Sequence, residues 1–141
     1  MEPALLDNSA WQRLCSAGLS RDRTEEVASA MADDRIFACA PLLLEAGYST
    51  RNLEEHATII EELGSLPTLE IDGEVEAAAI FAQRELCSAG QHRLPPVDLL
   101  IAALADRNGV GVVHYDHDYD RILRSTHLSF ESVWLTEPGA L

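Results

Sequence analysis

The stretch Val97-Asp98-Leu99-Leu100-Ile101-Ala102-Ala103-Leu104-Ala105-Asp106-Arg107-Asn108-Gly109-Val110-Gly111-Val112-Val113-His114-Tyr115-Asp116-His117-Asp118-Tyr119-Asp120 decides the fold. Residues 99–105 are apolar on every side of a helix, which predicts a helix buried in a layered domain. Asp98 therefore opens a core element. Gly109 is placed to end that helix, and Val110, Val112 and Val113 read as a short buried strand. The strand delivers Asp116, Asp118 and Asp120 to its carboxyl end, where open α/β sheets bind ligands.

Working outward, residues 3–11 read as a short strand, an acidic tip and a helix continuing through Leu14. Asn8 or Ser9 can cap that helix, while Asp7 fits either a cap or a ligand at a strand end. A helix over 21–34 leads to a second strand at 35–39, and Pro41 suits the first turn of the next helix. Glu45 lies in that helix among Leu42, Leu43, Leu44 and Ala46. A carboxylate in so apolar a turn is costly unless it is neutral or paired, so Glu45 asks for a reason beyond solubility.

Asn52 is a plausible cap for a helix through Leu63, with Leu53, Ala57, Ile60 and Leu63 inward and its acids solvated. Residues 68–71 read as a short strand, Asp72 starts a helix through Cys87, and residues 90–96 form a loop. Residues 119–124 read as a short helix, residues 132–135 as the last strand, and residues 137–139 as a loose tail. Strands alternating with helices imply a parallel sheet covered on both faces. The expectation is one domain over residues 1–141, a three-layer α/β/α fold.

With 141 residues and 47% hydrophobic content, the chain can bury a core without disulfides or structural metal. Cys15, Cys39 and Cys87 match no metal or redox spacing and read as reduced thiols in or near the core. The five histidines show no zinc pairing, although His114 and His117 flank the acidic cluster. No positive region precedes the first apolar run, which Asp7 interrupts, and no apolar stretch approaches the ~20 residues of a spanning helix. The protein is expected to be soluble and cytoplasmic, without a membrane partner.

The formal charge is −14, from 24 acidic against 10 basic residues, and every basic residue is Arg. That balance excludes coating nucleic acid with a basic face, and it favours a basic partner protein. It leaves room for an enzyme that recruits nucleic acid through cations and a few arginines. Asp7, Asp98, Asp116 and Asp118 all fall where a parallel sheet brings element ends to one edge, and Glu45 faces inward nearby. Two carboxylates ~4 Å apart repel by about 4 kcal/mol at an effective dielectric near 20, so such a pocket calls for counter-cations. Oxygen ligands without Cys or paired His suit Mg²⁺ or Mn²⁺, ions that hold phosphate and activate water. A calcium loop over 116–120 is disfavoured by Ile122 and Leu123 and by the lack of a glycine at the turn. Asp120 reads as a capping or exposed acid.

Leu5-Leu6-Asp7-Asn8-Ser9-Ala10, Glu45 in its apolar helix, residues 98–105 and residues 112–122 resemble, in order and spacing, the PIN-domain ribonucleases. Within that family they are most like the VapC toxins of bacterial toxin-antitoxin pairs. The resemblance covers nearly the whole chain. It implies a Mg²⁺-dependent endoribonuclease with a central five-stranded parallel sheet, usually dimeric and silenced by a cognate VapB-like antitoxin, with Mn²⁺ able to substitute. By position it makes Asp7, Glu45, Asp98 and Asp116 the acidic quartet, Asp118 an accessory metal ligand and Ser9 a polar residue at the site's edge. Two departures bear on substrate preference: Asn8 and His114 each stand where the family commonly has Thr. Arg93, ahead of the Asp98 helix, fits a phosphate contact, an antitoxin carboxylate contact or a plain surface loop. Two other classes compete: an inert PIN-fold binding module acting through a partner protein, and a phosphatase or phospho-acceptor using Asp7 as nucleophile. The latter lacks any Lys.

Overall fold

The computed structural model describes residues 1–91 and 93–141. His92, in the loop expected over 90–96, lies outside the described residues. The elements follow in the order β1 (Ala4–Leu6), α1 (Asn8–Trp11), α2 (Arg21–Ala32), β2 (Ile36–Phe37), α3 (Ala40–Tyr48) and α4 (Leu53–Gly64). Then come α5 (Gly73–Ser88), α6 (Pro96–Asn108), β3 (Gly111–His114), α7 (Asp118–Ser125) and β4 (Ser132–Trp134). Helix starts follow local chemistry. The side chains of Ser20, Asn52 and Asp72 accept from the amides of Arg23, Glu55 and Val75, capping α2, α4 and α5. Pro41 and Pro96 occupy first turns, where a missing amide costs nothing. Gly109, at φ 64°, closes α6 in the left-handed region that favours glycine.

All strand pairings are parallel, in the order β2-β1-β3-β4, with Leu5 beside Val112 and Leu6 beside Val113. Helices cover both faces, giving the three-layer α/β/α arrangement, but the sheet has four strands and not the expected five. The stretch read as a strand at 68–71 makes a single parallel bridge, Thr68 to Ala38. Extending the ladder backward needs an amide from residue 67, which is Pro, and extending it forward meets the start of α3.

β1 and β3 are completely buried, as is the middle of α6, whose Leu99 and residues 101–105 join the sheet in the core. Connections from β1 and β3 leave toward opposite edges, so the cleft between their carboxyl ends is the topological switch point. The Asp7 amide donates to the Val113 carbonyl at 2.9 Å, which ties the tip of β1 to β3.

Several expectations need correction. Helix α1 stops at Trp11, with turns continuing to Cys15. On α4, Leu53 and Ala57 are exposed and only Leu63 is fully buried, because this helix lies chiefly against α3. Of the thiols, Cys39 alone is in the core; Cys15 and Cys87 are exposed. The tail folds back, with the Leu141 amide donating to the Tyr115 hydroxyl at 2.9 Å. Among the described residues, no helix is long and apolar enough to cross a membrane.

Candidate metal centre

The switch-point cleft gathers the acids that the sequence singles out. Asp7 follows β1 and Asp116 follows β3, while Asp98 sits in the first turn of α6 and Asp118 begins α7. Asp7 and Asp98 are buried at 2% and 6% exposure, and Asp116 and Asp118 are half-buried toward the opening. Asp98, Asp116 and Asp118 each offer an oxygen, and these atoms all lie within 4.8 Å of one another.

Asp7 adjoins this group but is already engaged on both oxygens. Its Oδ2 accepts from the Ser9 amide at 2.9 Å and from the Ser9 hydroxyl at 2.5 Å. Its Oδ1 accepts from the buried Tyr119 hydroxyl at 2.7 Å, which also lies 3.5 Å from Asp98 Oδ1. Asp7 is thus both the cap of α1 and a member of the cluster. These bonds orient the Asp7 carboxylate and still leave it lone-pair capacity toward the cluster.

Burial, then the charges of Asp7, Asp116, Asp118 and Glu45, push the Asp98 carboxyl up to about 8. Burial and neighbouring acids also raise Asp116 and Glu45. The half-buried Glu45 faces the cluster from α3, where a hydrogen bond from the Asn8 side chain partly offsets its rise. The Asn8 Oδ1 is buried without a partner. Converging like charges and an unpartnered acceptor are what a hard cation with its water would relieve, and an all-oxygen donor set fits Mg²⁺ or Mn²⁺.

Ser9 bridges the edge of the site: its hydroxyl also accepts from the Tyr115 amide at 2.9 Å. Arg93 is exposed in the loop before α6, and the structure does not bring it among the carboxylates' hydrogen-bond partners. Arg13 and Arg121 flank the cleft instead. Arg13 donates to the Ser9 carbonyl at 2.9 Å and lies 4.7 Å above the Tyr115 ring, and Arg121 pairs with Asp118 at 3.0 Å.

Sequence reasoning missed the support behind the acids. His114 is fully buried and neutral, its pKa lowered to about 4 chiefly by burial. The Asp116 amide donates to its Nδ1 at 3.1 Å, and its Nε2 lies 2.7 Å from the Ser132 hydroxyl. Asp120 is neither cap nor exposed acid: it accepts from Ser132 at 2.6 Å and from the Trp134 indole at 2.9 Å. Burial raises Asp120, but these bonds outweigh it and hold the group below its ordinary range. Residues two apart on a helix point ~200° apart, so Asp118 faces the cleft while Asp120 faces β4. That period was a usable signal in the sequence.

Comparisons with known proteins agree with this arrangement. The PIN domain family profile matches residues 4–124. Ribonuclease VapC18 of Mycobacterium tuberculosis is 32% identical over 139 residues, covering 96% of this chain and 97% of that protein. Ribonuclease VapC21 of the same organism is 34% identical over 137 residues, covering 96% and 95%. Among solved structures, DNA-bound VapBC from Salmonella typhimurium superposes with a TM-score of 0.73 at 18% identity, covering 96% of this chain and 100% of that one. That likeness carries the fold; the sequence matches along nearly the full length carry the family. A profile match over most of the chain and full-length relatives above 30% identity establish that this protein belongs to the PIN-domain family and is related to the VapC toxins.

Proposed function

We propose that this protein is a Mg²⁺-dependent endoribonuclease, the toxin of a type II toxin-antitoxin pair. The observation that carries the reading is the convergence of Asp98, Asp116 and Asp118 oxygens within 4.8 Å, with Asp7 and Glu45 beside them. It is supported by relatives that are themselves named ribonucleases.

In this reading Asp7, Asp98, Asp116 and Asp118 form the ion's binding wall, with Asp7 held in place by Ser9 and Tyr119. A bound divalent ion supplies positive charge that lowers the pKa of water and offsets charge on a phosphodiester. Glu45, at the open side with its raised pKa, takes the proton from the attacking water at its carboxylate. As the water oxygen bonds to phosphorus, the bond from phosphorus to the leaving ribose oxygen breaks, and that oxygen takes up a proton from solvent. Arg93 serves as an outer contact to RNA phosphate. RNA incubated with the purified chain in Mg²⁺ should be cut, and EDTA should abolish the cutting; equal cutting in EDTA, or none in Mg²⁺, would contradict the proposal.

The cognate antitoxin is read as a basic VapB-like chain that places an Arg among the carboxylates, since guanidinium binds carboxylate in a fork and supplies the cation's charge. The −14 charge supports such a partner.

Homodimerisation is supported by apolar surface running from α3 across α6 to α5. Leu44, Tyr48 and Ile80 are 74%, 92% and 69% exposed, and the two shallow pockets between these helices share Leu100. A contiguous patch of this kind marks an interaction surface. The parent should sediment as a dimer, and changing Leu44 and Tyr48 together to Asp should yield a folded monomer. An unchanged dimer would place the interface elsewhere.

A further inference from the structure

We propose that His114 is a positioning residue, fixed in one tautomer by Ser132 and Asp120, that sets Asp116 directly and Asp7 through Tyr119. The inference rests on the metal-centre reading above and goes beyond it to the groups that hold the ligands.

The hydrogen-bond directions admit one arrangement. The Asp116 amide is only a donor, so His114 Nδ1, 3.1 Å away, must accept. In the neutral ring the proton is then on Nε2, which donates to Ser132 Oγ at 2.7 Å. The Ser132 hydroxyl is left to donate to Asp120 Oδ1 at 2.6 Å, while Trp134 Nε1 donates to Oδ2 at 2.9 Å. An acceptor-only carboxylate at one end and a donor-only amide at the other order every proton between them.

The same imidazole is a wall for Tyr119. Their ring centroids are 4.8 Å apart at an interplanar angle of 34°, and Trp134 also packs against His114, edge to face at 4.9 Å. Tyr119 is completely buried and its hydroxyl reaches Asp7 at 2.7 Å. Fixing the imidazole therefore fixes a ligand-bearing turn after β3 and the hydroxyl that orients the acid after β1. A histidine that merely filled the core would need no defined tautomer, and its loss would act on stability alone.

The test combines ¹⁵N NMR of the imidazole with calorimetric titration of Mn²⁺ into metal-free protein. The parent should show the neutral Nε2–H tautomer alone. Ser132→Ala should lose that uniformity and bind Mn²⁺ about 10- to 100-fold more weakly, as removal of outer partners of metal ligands commonly does. Ser132→Thr, which keeps the hydroxyl, should restore both, and Tyr119→Phe should weaken Mn²⁺ binding in the same range. A parent imidazole protonated on Nδ1 overturns the proposal, and so does parental Mn²⁺ affinity in either weakening variant. If Ser132→Ala does not fold, the parent tautomer and Tyr119→Phe decide the matter. A parent that takes up no Mn²⁺ would instead contradict the metal-centre reading itself.

Discussion

Asp98→Asn and Asp7→Asn should each abolish RNA cleavage almost completely, by roughly 10²-fold or more, while both proteins remain folded. Both acids are buried, one in the first turn of a core helix and the other at the tip of a central strand, so the backbone has little freedom to compensate. Loss of one charged ligand weakens the ion and misplaces the attacking water together. Asp118 is half-buried at the opening and shares its carboxylate with Arg121. A water can take its place, so Asp118→Asn should leave measurable activity. Single-turnover cleavage at several Mg²⁺ concentrations, paired with thermal melts in EDTA, separates chemistry from folding. Full activity in Asp98→Asn, or activity lost only through unfolding, would make Asp98 a purely structural acid.

The metal-free protein should be destabilised by its own cleft, increasingly so as pH rises from about 6.5 toward 8. Asp98 has an ordinary value of 3.8 and is raised to about 8 in the fold, so over that range the folded state binds more protons than the unfolded chain. Stability of that origin is fully present below the ordinary value and is lost as pH climbs through the folded one. Glu45 and Asp116, also raised, act in the same sense. His114 acts oppositely: lowered from 6.5 to about 4, its contribution is present above 6.5 and falls away as pH drops toward 4. Below about 6.5 the two effects oppose each other, and above it only the acids vary. Mg²⁺ or Mn²⁺ should reverse the loss, by about 2.7 kcal/mol at 100 times the dissociation constant. At a fixed ion concentration the gain should be larger at about pH 8 than at 6, because protons compete for the same oxygens and raise the dissociation constant. Asp98→Asn, relieved of one repelling charge, should melt above the parent in EDTA at the higher pH. Calorimetric melts across this range would contradict the reading if the metal-free parent grew more stable with pH or if saturating Mn²⁺ left it unmoved.

The sequence carried those parts of the molecule in which local pattern and burial agree. The all-round apolar face of residues 99–105, the glycine after it and the valine strand announced α6 and β3, and with them the positions of Asp98 and Asp116. What it did not carry depends on partners distant in the chain. Pro67 shortens an expected strand to one bridge only because its missing amide would have faced Ile36, a pairing no local window shows. The inward face assigned to α4 held at Leu63 and in part at Ile60 but not at Leu53 and Ala57, because period fixes which residues share a face but not how much sheet or helix lies opposite. Asp120 looked like a cap because its true partners, Ser132 and Trp134, come 12 and 14 residues later from a neighbouring strand. Tyr119 sits between two acids that looked more important, and its role appears only once burial places its hydroxyl between Asp7 and Asp98.

Acids from four separate elements are proposed to form one divalent-cation site. Calorimetric titration of Mn²⁺ into metal-free parent and Asp98→Asn at about pH 8, where the Asp98 carboxyl is half ionised, tests it most directly. Saturable binding with proton release is expected in the parent, and loss of that binding in the variant. Binding of equal strength in both proteins, or none in the parent, would contradict it.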